Sequence, residues 1–215
     1  MIRCVIFDLD GTLLNTLEDL CDSTNYALST HGYPSRSLDE IKNFVGNGVR
    51  LLIERALPMG KDNPDFEKCL TEFKTHYKNN MYNKTKPYPE IIETLEIIKS
   101  QNIKTAVISN KFDIAVKELC EKYFPNLIDI AIGENEQEGI RKKPSPDSVL
   151  KVISDLNLNR DQVIYVGDSE TDIETAKNAG VDCAACTWGF RDVEVLIKNK
   201  PKYIINTPKE LLNLI

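Results

Sequence analysis

With 215 residues, 28% of them charged and 41% hydrophobic, the chain can bury one sizeable core and still carry a small second lobe. A net charge of −6, with no Lys/Arg block that suggests a nucleic-acid groove, argues against broad nucleic-acid binding. No apolar run is long enough to span a bilayer, and the N-terminus lacks a signal peptide's charged start and long apolar stretch, so a cytoplasmic protein without a membrane partner is expected.

The first element is an apolar run, Ile2 to Phe7, which ends in Asp8-Leu9-Asp10-Gly11-Thr12. Side chains alternate along a strand, so Asp8 and Asp10 can point to the same side. Two neighbouring acids repel unless a cation lies between them or one holds a proton. The pair therefore points to a divalent metal and to acid–base or nucleophilic chemistry.

Helical periodicity dominates the next stretch, over Leu17 to Thr30, Val49 to Leu57 and Asp65 to Met81. Turn signals divide it at His31-Gly32-Tyr33-Pro34, Gly46-Asn47-Gly48 and Pro58-Met59-Gly60. This reads as a helical lobe, residues 16–84, inserted into a core of residues 1–15 and 85–215. A lobe on two linkers above a strand-end site can serve as a lid, or it can serve packing alone.

After Lys86-Pro87-Tyr88-Pro89 the pattern alternates. Strands are predicted at Thr105 to Ile108, Ile128 to Ile132, Val163 to Val166, Asp182 to Cys186 and Tyr203 to Ile205. Helices are predicted at Glu90 to Lys99, Asp113 to Lys122, Pro146 to Leu156 and Asp172 to Ala179. Such alternation predicts an α/β fold, a doubly wound parallel sheet with helices on both faces. Sheets of this kind bind ligands at the carboxyl ends of their strands.

Three further clusters occur along the chain, two of them directly after strand-like runs. Ser109-Asn110-Lys111 brings a hydroxyl, an amide and a cation, and Arg141-Lys142-Lys143-Pro144 is basic. Gly167-Asp168-Ser169-Glu170-Thr171-Asp172 carries two acids about one helical turn apart. Brought to one edge, Asp8, Asp10, Asp168 and Asp172 would supply hard oxygens suited to Mg²⁺. Lys143, Ser109 and Asn110 would hold a phosphate's remaining oxygens. His31 and His76 both fall in the helical lobe, so a carboxylate is the expected nucleophile. Each cluster alone is also compatible with an ordinary turn or helix cap. The six cysteines are scattered among apolar neighbours and are expected as reduced thiols, with Cys183 and Cys186 packed in the core.

Taken in order, the four clusters resemble those of the haloacid dehalogenase-like hydrolase superfamily across essentially the whole chain. The resemblance implies a Rossmann-like core with a helical cap inserted after the first cluster. Asp8 would be the nucleophile, and Asp10 the acid that protonates the leaving alcohol and then activates water. Asp8, the Asp10 carbonyl and Asp168 would hold Mg²⁺, with Asp172 orienting Lys143 or the metal's waters. Ser109 and Lys143 would bind the phosphoryl oxygens. An acid at Asp10 favours a phosphatase or phosphomutase over a dehalogenase, and no basic cap motif matching a mutase is present. Asn15 stands where related phosphatases commonly carry Asp.

Phe44-Val45-Gly46-Asn47-Gly48-Val49 and Glu54-Arg55-Ala56-Leu57-Pro58 are similar to the cap of phosphoglycolate phosphatases, as is the later Thr187-Trp188-Gly189-Phe190. Gly46, Asn47, Gly48 and Arg50 are therefore candidate substrate residues; the alternative is a tight interhelical turn beside a solvated Arg50. The implied partner is a small phosphorylated metabolite, 2-phosphoglycolate first, processed by a monomer or weak homodimer. Pyrophosphate, a sugar phosphate or a nucleotide is the alternative substrate, and a non-catalytic phosphate-binding protein is the alternative of another class.

Overall fold

A computed structural model describes residues 1–135 and 139–215. The chain forms two compact units. One comprises Met1–Leu14 and Pro87–Ile215, the other Asn15–Lys86.

The first unit is built on a parallel sheet of β1 (Cys4–Phe7), β4 (Lys104–Phe112), β5 (Ile130–Glu134), β6 (Val163–Gly167), β7 (Asp182–Cys186) and β8 (Tyr203–Ile205). Their spatial order is β5-β4-β1-β6-β7-β8. Every residue of β1 is buried, which explains why its sequence is an unbroken apolar run rather than an alternating one. The chain winds outward from β1 through β4 to β5, then returns to β1's other side and winds through β6 to β8. The reversal beside β1 is a topological switch point, where the loops leaving adjacent strands part and open a crevice.

Helices cover the sheet. Val149 and Val152 of α7 (Asp147–Asp155), Ile173, Ala176 and Ala179 of α8 (Glu170–Ala179) and Leu196 of α9 (Val193–Lys198) pack with Cys4, Ile6, Ala106, Tyr165 and Ala185. The intervening strand residues Phe7 and Val166 line a small cavity together with Ile91 and Leu95 of α5 (Ile91–Ser100). Helix α6 (Asp113–Tyr123) links β4 to β5. The alternation thus sorts β1 side chains to two separate cores, as the parallel-sheet reading requires.

The second unit holds α1 (Leu17–Thr30), α2 (Leu38–Phe44), α3 (Val49–Ala56) and α4 (Phe66–Asn80). Its core includes Leu20, Leu28, Ile41, Leu52, Ile53, Leu70, Phe73 and Tyr77. Asn15 accepts a bond from the Leu17 N–H at 3.3 Å and so starts α1. Helix α2 opens on a capping box in which Ser37 and Glu40 satisfy each other's backbone. Buried Asp19 of α1 accepts the Lys84 and Thr85 N–H groups and the Thr85 hydroxyl, at 2.7 to 3.1 Å. That carboxylate fastens the end of the unit to its beginning. The two crossings between units are the short strands β2 (Leu14–Asn15) and β3 (Lys86–Pro87), which pair.

Among the described residues, no helix is long and apolar enough to cross a membrane. All six cysteines are buried and unbridged, Cys183 and Cys186 within β7.

Candidate active site

Strand register decides what meets at the switch point. Phe7 is level with Val107 of β4 and Val166 of β6, so Asp8, Ser109 and Asp168 emerge from three adjacent strands at one edge. Asp8, Asp168 and Asp172 offer carboxylate oxygens that all lie within 4.8 Å of one another, and all three residues are buried.

Lys143 binds this cluster together. Its Nζ is 2.9 Å from Asp8 Oδ1 and 2.7 Å from Asp172 Oδ1, and its side chain is only 3% exposed. Burial alone would push the ammonium toward neutrality, but Asp172 and Asp8 outweigh it and hold the lysine well above its usual range. Asp172 in turn is aimed by three hydroxyl or amide donors. Tyr165 Oη donates to Oδ1 at 3.2 Å, and Ser169 Oγ and N–H donate to Oδ2 at 2.6 and 3.1 Å. Ser169 also caps α8, so helix start and site geometry are fixed by the same residues. Asn110 holds Lys143 from the backbone side: its amide donates to the Lys143 carbonyl at 3.1 Å and accepts the Lys143 N–H at 2.8 Å. The Asn110 side chain therefore fixes where Lys143 begins.

Asp168 is clamped on both oxygens. Thr12 Oγ1 donates to Oδ1 at 3.1 Å and the Phe190 N–H donates to Oδ2 at 2.7 Å. Trp188 Nε1 donates to the Thr12 carbonyl at 3.0 Å, which ties the loop after β7 to the loop after β1. The clamp demands glycine at its closest approaches. A Cβ on Gly189 would lie 2.2 Å from Asp168 Cβ, and one on Gly11 would lie 2.3 Å from Asp168 Oδ2.

Electrostatics separates this cluster from an ordinary surface patch. Burial, then Asp172, raises the Asp8 carboxyl well above the usual carboxylate range, against the pull of Lys143. The same causes push Asp168 up to about 7, against the Phe190 N–H and the Thr12 hydroxyl. Carboxylates crowded this closely with one lysine lack positive charge. A divalent cation would supply it, and hard oxygen donors match Mg²⁺ in kind. The residues present fit such an ion: Asp8, Asp168 and Asp172 could each offer it a carboxylate oxygen.

Asp10 follows a different course. Its Oδ1 meets the Lys111 ammonium at 3.1 Å, with side-chain exposures of 16% for the acid and 5% for the lysine. The Lys111 N–H also donates to Ser109 Oγ at 3.2 Å. The β4–β5 register shifts between Ile108 and Phe112, which re-aims the Ser109–Lys111 side chains.

Asp8, Asp10, Ser109, Asn110, Lys143, Asp168 and Asp172 thus all belong to the first unit and converge on its sheet edge. Gly46, Asn47, Gly48 and Arg50 belong to the second unit, at the turn that starts α3. Gly48 precedes that helix at φ +88°, Asn47 accepts from Arg55 at 3.1 Å, and Arg50 pairs with Glu67 and lies over the Phe66 ring. Sequence reasoning passed over Lys111, Thr12 and the Trp188–Phe190 clamp as separate contributors, because each acts through a partner far along the chain.

A model of the haloacid dehalogenase-like hydrolases matches residues 5–186, most of the chain. This chain belongs to that family. A phosphoglycolate phosphatase of Aquifex aeolicus is 35% identical over 99% of this chain and 96% of its own length. One of Agrobacterium fabrum is 34% identical over 94% of this chain and 87% of its own. The crystal structure of a predicted phosphoglycolate phosphatase from Haemophilus somnus superimposes with a TM-score of 0.92 at 29% identity, covering 99% of this chain and 97% of that one. The family member described here is a phosphoric monoester hydrolase with a Rossmann-like α/β core.

Proposed function

We propose that this hydrolase is a Mg²⁺-dependent phosphatase of a small phosphate monoester, with 2-phosphoglycolate as substrate and Asp8 as nucleophile. The observation that carries the reading is Asp8 itself: a buried carboxylate 2.9 Å from the Lys143 ammonium, with carboxylate oxygens of Asp168 and Asp172 within 4.8 Å. The names of the relatives support the substrate.

The steps follow from the side chains. An Asp8 oxygen attacks phosphorus, and the bond to the ester oxygen breaks as Asp10 gives that oxygen its proton. The phosphoryl group then sits on Asp8 as an acyl phosphate. Asp10, now a carboxylate, takes a proton from water, which attacks phosphorus and returns Asp8 as carboxylate with release of phosphate. Lys143 and Ser109 hold phosphoryl oxygens throughout, and Lys143 offsets the charge that gathers on them. Mg²⁺ held by Asp8, Asp168 and the Asp10 carbonyl would offset carboxylate charge and polarise a phosphoryl oxygen. Asp172 keeps Lys143 aimed at the phosphoryl position. The helical unit, through Gly46, Asn47, Gly48 and Arg50, acts as a cap that adds substrate selectivity, and the enzyme works in the cytoplasm as a monomer or weak dimer.

The test is phosphate release with Mg²⁺ over a panel of 2-phosphoglycolate, pyrophosphate, sugar phosphates and nucleotides. A strong preference for 2-phosphoglycolate supports the whole reading. A preference for another ester keeps the chemistry and removes the substrate. No release from any member removes the catalytic reading.

A further inference from the structure

Tyr165 of β6 has no part in the steps above, yet its hydroxyl needs an account. The side chain is fully buried in the core with Cys4, Ile6, Val149, Val152 and Ile173, where a phenylalanine ring would fill the same space. A hydroxyl carried into such a core costs free energy unless it finds a partner. Its partner is Asp172 Oδ1, at 3.2 Å. The same oxygen holds the Lys143 ammonium at 2.7 Å. That ammonium lies 5.9 Å from the centre of the Tyr165 ring, at the outer limit of a cation–π contact. Phenol, carboxylate and ammonium thus form one buried chain, which ends at Asp8 Oδ1, 2.9 Å from Lys143 Nζ.

The two oxygens of Asp172 are used differently. Oδ2 is gripped by the Ser169 hydroxyl and N–H, at 2.6 and 3.1 Å, and Ser169 also starts α8. That grip fixes the carboxylate to the helix. Oδ1 carries two donors of different kinds, a charged one that the reaction uses and a neutral one.

We propose that Tyr165 is a positioning residue for Lys143, acting through Asp172: its hydroxyl takes a share of the Oδ1 charge and leaves the ammonium to serve the phosphoryl group. This rests on the phosphatase reading and adds a residue to it. Two donors on one oxygen compete for its charge, so an Asp172 relieved of the phenol draws Lys143 more strongly. An ammonium drawn toward Asp172 offers less to the phosphoryl oxygens. The loss is greatest where charge on those oxygens is greatest, in the transition state, and smaller in the ground state. Tyr165→Phe removes the hydroxyl alone and keeps the ring in the core.

The experiment measures kcat and KM at saturating Mg²⁺ on p-nitrophenyl phosphate and 2-phosphoglycolate, for wild type, Tyr165→Phe, Asp172→Asn and the double variant. Orthovanadate and inorganic phosphate serve as inhibitors. In Tyr165→Phe, kcat should fall by about tenfold on both esters, which share the phosphoryl group, while KM stays within about twofold. The inhibition constant of orthovanadate, which copies five-coordinate phosphorus, should rise by about tenfold, and that of inorganic phosphate by less. Beside Asp172→Asn, the same substitution should change kcat by less than about twofold, because the residue it acts through is already altered. An unchanged kcat in Tyr165→Phe overturns the proposal. So does a fall confined to one ester, or a tenfold loss that persists beside Asp172→Asn. Equal weakening of orthovanadate and phosphate, or a Tyr165→Phe protein that does not fold, makes the hydroxyl a packing element and overturns it as well. Each of these leaves the phosphatase reading standing. Wild-type enzyme without Asp8-dependent release from either ester overturns both.

Discussion

Two buried carboxylates, one in each unit, are treated in opposite ways. Asp19 in the helical unit is 1% exposed, and backbone amides and a hydroxyl meet both of its oxygens. Asp8 in the sheet unit is 6% exposed, yet it faces two other carboxylates and shares one lysine with Asp172. Asp19 is a staple: its charge is met by fixed donors, and removing it frees backbone groups that the fold needs. The Lys143 ammonium relieves the repulsion around Asp8 only in part, and burial, then Asp172, hold its carboxyl well above the usual carboxylate range. Burial alone therefore does not distinguish structure from chemistry; the nature of the neighbours does.

The comparison is sharpest at Asp8. Asp8→Asn should lower turnover by more than about a thousandfold, since an amide cannot form the acyl phosphate. The variant should melt no lower than wild type, and above it in metal-free buffer at neutral pH. The sign follows from linkage: a raised carboxyl pKa means the folded state binds its proton more tightly than the unfolded chain does, so ionising it above the unfolded value costs stability. Phosphate release and thermal melts check the two halves. Near-normal activity in clean Asp8→Asn protein would remove the nucleophile assignment.

Asp19→Asn should do the reverse. Its amide nitrogen would face a backbone N–H where an oxygen now accepts, so at least one charge-assisted bond is lost and one donor is left buried. A loss of about 3 kcal/mol in unfolding free energy is expected. Activity per folded molecule on a generic aryl phosphate should change little. A variant as stable as wild type would show that Asp19 is not the staple described, and the contrast with Asp8 would collapse.

How much of this was readable in advance depended on distance along the chain. The strands and most helices stand out because central parallel strands are continuous apolar runs and the helices repeat at three- and four-residue spacing. Asp8 and Asp168 stand out because each directly follows an apolar strand run, and Lys143 because it belongs to a basic cluster just before a predicted helix start. Helix α2 does not stand out, since Ile41 is the one fully buried residue in its seven, although Ser37-Leu38-Asp39-Glu40 spells a capping box. The end of β4 is hidden for another reason. Ser109, Asn110 and Lys111 are polar and read as a strand end or a helix cap, yet all three are buried, Asn110 and Lys111 against partners elsewhere in the chain. Nor does sequence show that Asp19 meets Lys84 and Thr85, or that Trp188 meets Thr12. Those pairings exist only once the chain has folded back on itself.

The smallest expected effect tests that last kind of contact. Trp188, the single tryptophan of the chain, holds the Thr12 carbonyl, while the Thr12 hydroxyl holds Asp168. Trp188→Phe keeps the ring and removes one donor. If Asp168 is aimed through Thr12, Mg²⁺ affinity should weaken by about tenfold, the scale on which outer hydrogen bonds tune metal sites. Calorimetric titration of Mg²⁺ into the variant reads this without turnover, and kcat at saturating Mg²⁺ should return close to wild type. Unchanged affinity would mean that the Phe190 N–H and the Thr12 hydroxyl fix Asp168 without help from the indole. The contrast between the two units would survive, but its site half would be narrower: Asp168 would be held only by groups that touch it directly, as Asp19 is.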